Sequence, residues 1–394
     1  MIAGKLLVIG AGFLQSFVIR RAREMGLTVL AVDRDPKAPG FAWAHKKAVI
    51  DIKDQEACLE LAKLEKIDAV VSVCTDFAVR TVSYIAETLG LHGLSMQSAR
   101  TCTNKVLMRE ALARAGVNGV AFGRVATLEE AGSVASSIGF PCVVKPVDSV
   151  GSRGVTKVEN ESMLDAGFEA ALRASASGNV IVEEFVEGPE ISVEAITWEG
   201  KTGIAAVTDK ITSGPPHFVE LGHTQPSVFS SENIVRETVE RCVSAVGVDW
   251  SGTHTELRLT EEGPRVMEIG ARLGGDRITS DLVPLSTGID LMQAVISVSF
   301  GERPQMTPLY EKGSAIRYLF VRPGRITAMR RIEAARSSPG VTDVHMDMSI
   351  GDRVPELRSS LDRVGHVVAG GRGAREAAAA AEEALRKIEI EVEQ

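Results

Sequence analysis

Two glutamates and the arginine that follows them carry the most specific chemistry in this chain. Glu256 lies in Thr253-His254-Thr255-Glu256-Leu257 and Glu268 in Arg265-Val266-Met267-Glu268-Ile269, with a turn at 260–263 between them. The two runs read as a hairpin, which would aim both carboxylates into one place. Two hard oxygen ligands suit Mg2+, an ion that keeps waters and takes further ligands from phosphates. Arg272-Leu273-Gly274-Gly275-Asp276 follows at once. A fixed guanidinium there can grip a phosphoryl group or a carboxylate in bidentate fashion. Two acids on a hairpin are usually just solvated; the adjoining arginine and glycine pair set these apart.

Three further segments add to them. The strand Cys142-Val143-Val144-Lys145-Pro146 runs into Asp148-Ser149-Val150-Gly151-Ser152-Arg153-Gly154-Val155. Such a loop can turn successive N–H groups towards a phosphate, with Lys145 as a compact positive charge beside it. It is no P-loop, and the plain alternative is a hairpin with an exposed lysine. Glu183-Glu184-Phe185-Val186-Glu187-Gly188-Pro189-Glu190 ends a strand in acids and turns at Gly-Pro. A linker of this kind offers backbone groups to an adenine edge and a carboxylate to ribose hydroxyls; the alternative is a solvated acidic turn. Near the N-terminus, Gly10-Ala11-Gly12-Phe13-Leu14-Gln15 follows a strand, and Asp33 ends the next one. That arrangement invites a dinucleotide site, but Gln15 replaces the third glycine, which favours a tight strand–helix turn.

The elements that must position these residues follow from the whole chain. It has 394 residues, enough for two to four domains, with 37 glycines and 5% aromatics, which favours an α/β protein. Lys+Arg 44 against Asp+Glu 52 gives a net charge of −8, a poor balance for nucleic acid or an anionic membrane surface. Five scattered cysteines without a CxxC pair read as those of a reduced, cytoplasmic protein. Strands alternate with helices over 1–100, implying a doubly wound parallel sheet. A helical pattern over 98–115 holds Asn104 and Lys105 and supplies a linker at 101–119. A small α+β unit is expected over 120–186, a larger sheet over 187–304 with strands near 191–198, 203–208, 252–259 and 264–269, and a C-terminal domain over 305–394 ending in a helix at 374–387.

Together these segments resemble the ATP-grasp superfamily over nearly the whole chain. The fold this implies is α/β: an ATP-grasp core behind a Rossmann-like N-terminal domain that binds no NAD, with a C-terminal α+β domain. On that resemblance Lys105 and Lys145 are the two ATP-binding lysines, and Ser149, Gly151, Ser152 and Gly154 belong to the loop over the phosphates. Glu183, Glu184, Phe185 and Val186 are the adenine hinge, Glu190 the ribose acid, Glu256 and Glu268 the magnesium acids, and Arg272 the arginine at the reacting acyl phosphate. Arg272, Lys145 and Glu268 are therefore the catalytic candidates. The family usually has Asn two residues after the second acid, where this chain has Gly270. Glu-Ile-Gly-Ala-Arg-Leu instead resembles the branch of L-amino-acid ligases that make dipeptides. Within that branch Glu220 and His223, with Arg272 and Gly275, fall on the substrate side; a polar loop with two exposed histidines, or a metal pair of His217 and His223, are the alternatives. The resemblance implies an ATP- and Mg2+-dependent carboxylate–amine ligase, Mn2+ able to substitute, that releases ADP. A biotin-carboxylase-like or purine-pathway enzyme and a non-catalytic ATP-binding regulator are the other readings. Small-molecule carboxylate and amine partners are expected, without nucleic acid or membrane, and assembly as a homodimer is left open.

Overall fold

The computed structural model describes residues 2–149, 153–215 and 217–393. The N-terminal unit is a parallel sheet in the order Lys46–Val49, Thr28–Asp33, Lys5–Ile9, Ala69–Val71. Its first turn is built by Asp33 and by Gln15, the residue that stands in place of the third glycine. Asp33 Oδ2 accepts the Ala11 N–H at 2.8 Å, and Gln15 Nε2 donates to the Val73 carbonyl at 2.7 Å. A Cβ on Gly12 would stand 2.9 Å from Gln15 Oε1, so the glutamine side chain occupies the space that the third glycine of a fingerprint leaves open.

The helical pattern over 98–115 forms two helices, Met96–Cys102 and Lys105–Arg114. Asn104 divides them: its extended backbone and its Oδ1, accepting from Val106 and Leu107 N–H at 3.1 Å each, cap the second helix. Lys105 thus starts a helix instead of lying inside one.

The small unit is a sheet in the order Phe122–Val125, Val180–Glu184, Cys142–Pro146, Thr156–Val158, all antiparallel, so the loop beginning at Asp148 is a hairpin loop. Helices Leu128–Ile138 and Leu164–Ala174 close over Val144, Val158 and Val182 in a separate core.

The large sheet runs Gly263–Gly270, Ser251–Thr260, Glu190–Trp198, Lys201–Thr212, Glu220–Gln225, Gly313–Leu319, Gly365–Gly371, Val341–Met346. It continues across residue 304, so Gly313–Leu319, Val341–Met346 and Gly365–Gly371 extend the sheet of the preceding unit, while Gly324–Arg330, Arg353–Val354 and Glu389–Glu393 form a sheet of their own. Glu220–Gln225 is a strand here, not a loop; it bridges Lys201–Thr212 and Gly313–Leu319, and His223 pairs with Lys210 and Ile316. Ile191, Val193, Leu257, Val266 and Ile269 turn one face of this sheet onto helix Asn233–Ala245. Helix Ala374–Lys387, placed as its alanine-rich sequence implies, buries Ala377, Ala381 and Ala384 at helical spacing.

Candidate functional site

The free face of the large sheet gathers the charged side chains. Strand register puts Glu256 directly opposite Glu268, His254 opposite Glu194, and Arg258 opposite Glu190. Paired residues share a face, as do residues two apart. One surface therefore carries Glu190, Glu194, His254, Glu256, Arg258 and Glu268, and the hairpin expectation for the two acids holds.

A cavity of about 150 Å³ opens over this face, lined by Lys105, Lys145, Ser149, Glu183, Phe185, Val186, Glu190, Phe218, Glu256 and Glu268, among others. Lys105, Lys145, Ser149, Glu183, Glu184, Phe185, Val186 and Glu190 thus converge with the two acids, whereas Gly154 does not line the cavity. Lys145 Nζ lies 2.7 Å from Glu183 Oε2, and Arg109 Nε lies 2.8 Å from Glu183 Oε1. Glu183 is a buried strut between two cations. Burial alone would raise its carboxyl, but Arg109 and then Lys145 hold it down at about 2. Lys145 is driven the other way: burial first, then Arg109 and Lys105, lower it by more than Glu183 raises it. One carboxylate serves two cations, so Lys145 gains from any further anion that reaches the cavity. Lys105 Nζ donates to the Ser149 carbonyl at 2.8 Å and sits 3.4 Å from Glu268 Oε1. Glu184 accepts the Ala121 N–H, and the Val186 carbonyl accepts Arg258 Nη1. Phe185 and Phe218 flank Arg258, with ring centroids 6.3 Å apart. Gly154 has φ +74° and backs onto Ala174, where a Cβ would come within 2.6 Å. Gly151 and Ser152 lie outside the described residues.

Sequence reasoning missed Lys210. Its Nζ stands 2.6 Å from Glu190, 2.7 Å from Glu256 and 3.9 Å from Glu220, joining three of the acids singled out above. Burial would lower its pKa, but the three carboxylates, Glu190 first, raise it well above the ordinary value. No local signal marked it, since Lys210 lies beyond the 203–208 span expected for this strand and its partner Glu256 is 46 positions away. His254 and Glu194 were missed as well. His254 Nδ1 is 2.5 Å from Glu194 Oε1 and its Nε2 is 3.4 Å from Glu256, while Glu194 Oε2 accepts the Gly274 N–H at 2.9 Å. Burial disfavours an imidazolium here, but Glu194 overrides it and lifts the pKa to about 9.

A second cavity of about 300 Å³ adjoins the first, sharing Glu190, Glu256, Phe218 and Glu268. It contains the remaining expected residues, Glu220, His223, Arg272 and Gly275. Arg272 is held from the N-terminal unit by Asp76, with Nε–Oδ1 3.1 Å and Nη2–Oδ2 2.8 Å. A Cβ at Gly270 would press to 3.3 Å on both Arg272 Cζ and Asp76 Oδ1, so glycine there makes room for this pair. Glu220 Oε2 accepts the Ser360 hydroxyl at 2.6 Å. His223 is buried, its Nε2 3.1 Å from Asp276, and its Nδ1 meets no partner among the described residues. Arg363 completes the group with a bidentate grip on Asp276 at 2.8 and 3.1 Å. Burial would raise the Asp276 carboxyl, but the His223 hydrogen bond and then Arg363 hold it far below the carboxylate range. Asp276 and Arg277 both have positive φ, 53° and 62°, a conformation costing about 1–3 kcal/mol per residue that clusters at functional sites. Arg277 is anchored to Asp281 and Asp343, which leaves Asp276 facing the cavity.

Among the described residues, no group of three or more His, Cys, Asp or Glu forms a self-contained metal cage. The pair Glu256 and Glu268 fits an ion of the Mg2+ type, which accepts one or two carboxylates and completes its shell with phosphate oxygens and water.

The sequence matches the ATP-grasp domain over residues 138–281 and the L-amino acid ligase C-terminal domain 2 over 317–393. The uncharacterized protein y4rH of Sinorhizobium fredii is 31% identical, the match covering 89% of this chain and 75% of that protein. Alanine–anticapsin ligase of Bacillus subtilis is 27% identical over 67% of this chain, and formate-dependent phosphoribosylglycinamide formyltransferase of a Nitratiruptor species 31% over 50%. The chain spans only 61% and 52% of the lengths of those two enzymes. In fold it is similar to an L-amino acid ligase from Bacillus licheniformis, with a TM-score of 0.85, 23% identity and 99% of each chain covered. The shared sheet architecture, the two matched segments and the extended likeness to the Sinorhizobium protein place this chain in the ATP-grasp family of carboxylate–amine ligases.

Proposed function

We propose that the protein activates a carboxylate with ATP as an acyl phosphate and joins it to an amine, releasing ADP and phosphate, with an α-amino acid as at least one substrate. The observation that carries this reading is the continuity of the two cavities. Glu256 and Glu268 line both, and Arg272 lies in the second. Phosphate-binding and carboxylate-binding groups therefore meet at one place.

Lys105 and Lys145 would bind the terminal phosphates, Lys145 taking the anion that its shared partner Glu183 leaves it short of. Phe185, Val186 and Glu190 would seat the nucleoside. Glu256 and Glu268 would hold Mg2+, which when bound supplies positive charge against phosphate oxygens. Arg272, oriented by Asp76, would hold the substrate carboxylate in line with the γ-phosphoryl group and then hold the acyl phosphate. Glu220 and Asp276 would receive an ammonium group. In the second half-reaction the amine nitrogen forms the C–N bond, the C–O bond to phosphorus breaks, and the displaced proton leaves on phosphate. The expected stoichiometry is one ADP and one phosphate per amide bond, read by product analysis with mixed amino acids. AMP among the products would sink the mechanism, and ADP formation that needs bicarbonate in place of an amine would point to a carboxylase.

A further inference from the structure

Resting on that ligase reading, we infer that Arg277 is a positioning residue of the amino-acid site. Clamped by three units of the fold, it fixes the backbone turn that aims Asp276 into the cavity of Arg272. Asp276 and Arg277 are two successive non-glycine residues with positive φ, and the helix that follows them, Ile278–Leu282, is wound as a π-helix. Left-handed residues normally occur singly, and both they and π turns gather at functional sites. A conformation of this kind persists only where its surroundings over-determine it.

Arg277 supplies that determination. Its Nε and Nη2 form a fork on Asp281, inside the π-helix, at 2.6 and 2.7 Å. Its Nη1 reaches Asp343 at 2.9 Å and His366 Nε2 at 3.1 Å. A guanidinium only donates, so His366 Nε2 accepts. The rings of Phe17 and Phe13 lie 5.2 and 5.8 Å from its central carbon. These partners come from helix Phe13–Glu24 of the N-terminal unit and from strands Val341–Met346 and Gly365–Gly371 beyond residue 304. The Arg277 carbonyl accepts the Asp281 and Leu282 N–H groups at 3.1 Å each, which starts the π turn, and the Asp276 carbonyl accepts the Tyr318 hydroxyl at 3.1 Å. Without the side-chain clamp the pair has no reason to stay left-handed, and relaxation to negative φ would turn the Asp276 carboxylate away. Three cavities meet at Glu268: the nucleotide cavity, the cavity of Arg272, and one of about 450 Å³ against the N-terminal unit. Arg277, Asp343 and His366 line none of them, so they act on a substrate only through Asp276.

The test is steady-state ADP release with mixed amino acids for wild type, Arg277→Lys, His366→Leu and His366→Gln, with KM for ATP and urea midpoints measured alongside. Lysine keeps the charge but cannot span Asp281, Asp343 and His366 together. Arg277→Lys should raise the apparent KM for the amino acids about tenfold, the worth of one charge-assisted hydrogen bond, and leave KM for ATP within about twofold. His366→Leu removes the acceptor and should raise the same KM about fivefold; His366→Gln, whose amide oxygen accepts in its place, should restore most of the loss. A merely structural role would lower kcat and the urea midpoint together and leave both KM values where they are. His366→Leu decides the matter if Arg277→Lys does not fold. An unchanged KM for the amino acids in both variants, or a rise matched by KM for ATP, overturns the inference and leaves the ligase reading standing. No ADP from wild type with mixed amino acids removes the ligase reading, and this inference with it.

Discussion

Single carboxylates in this site do different work, and substitution separates them. Glu268 faces the junction of all three cavities, and among the described residues its side chain keeps only a long contact to Lys105, at 3.4 Å. Glu268→Gln should leave the fold intact by circular dichroism and abolish turnover, because phosphate charge loses one ligand of its compensating ion. Normal turnover in that variant at limiting Mg2+ would remove Glu268 from the site. Glu183 is the contrasting case, held at about 2 between Arg109 and Lys145. Its folded pKa lies below the ordinary 4.5, so its ionisation stabilises the fold above about pH 4.5 and that contribution fades as pH falls towards 2. Glu183→Gln should therefore cost about 3–5 kcal/mol at pH 7, since it strands two buried cations. The gap to wild type should narrow steadily below pH 4.5. Urea titrations at pH 7, 4 and 3 would decide this, and a gap independent of pH would contradict the assignment.

Elements explain which parts of the site could be read in the sequence. Glu256 and Glu268 were legible because a hairpin is local: a short turn at 260–263 sets their register, and alternation puts both on one face. Asn104 was also locally readable as a cap, although the apolar pattern around it suggested a single helix. Lys210, Glu194, Asp76, Ser360 and Arg363 were not legible. Their partners are 46, 60, 196, 140 and 87 positions away, and only sheet order and domain packing bring them together. Residues 220–225 looked like a loop because Gly222 and His223 lack strand character; between two long strands they pair regardless, as tertiary context overrides propensity. The turn after the second acid shows the same dependence. Gly270 leaves space for Arg272 and Asp76, and a Cβ at Gly274 would meet Glu194 Oε1 at 2.5 Å and His254 Nδ1 at 2.7 Å. Gly270→Asn, which restores the residue more usual in the family, should lower kcat at least tenfold by displacing Arg272, without improving the Mg2+ dependence. Tighter Mg2+ activation with kcat retained would show instead that the family's third ligand fits here.

The apolar clusters of the molecule are unequal, and the small unit has one to itself, set off from the largest at the nucleotide cavity. One apolar cluster joins Leu6, Val8 and Val71 of the N-terminal sheet to Ile196, Leu273 and Ile296 and on to Ile316, Tyr318 and Val368 beyond residue 304. The small unit instead encloses its own cluster of Val125, Ala131, Val144, Val158, Phe168 and Val182, joined to the linker helix by little more than Val106, Val147, Ile181 and Phe122. Among the described residues the linker helix crosses this seam with Lys105, whose N–H and Nζ donate to the Val147 and Ser149 carbonyls, and with Arg109 on Glu183, while Arg258 reaches the Val186 carbonyl from the large sheet. A small core with a narrow apolar seam should open below the global unfolding free energy, while strands embedded in the large cluster should open only with it. Native-state hydrogen exchange should therefore show amides of Val180–Glu184 and Cys142–Pro146 exchanging through a common, lower-energy opening than those of Lys5–Ile9 and Glu190–Trp198. A nucleotide held between Lys105 and Lys145 on one side and Glu256 and Glu268 on the other would bridge the seam. Mg-ATP should then raise protection in the small unit selectively, by RT ln(1 + [L]/Kd), about 2.7 kcal/mol at a hundredfold excess over Kd. Equal protection in both regions without nucleotide, or a rise shared evenly by both with it, would show that the seam does not act as the hinge of the site.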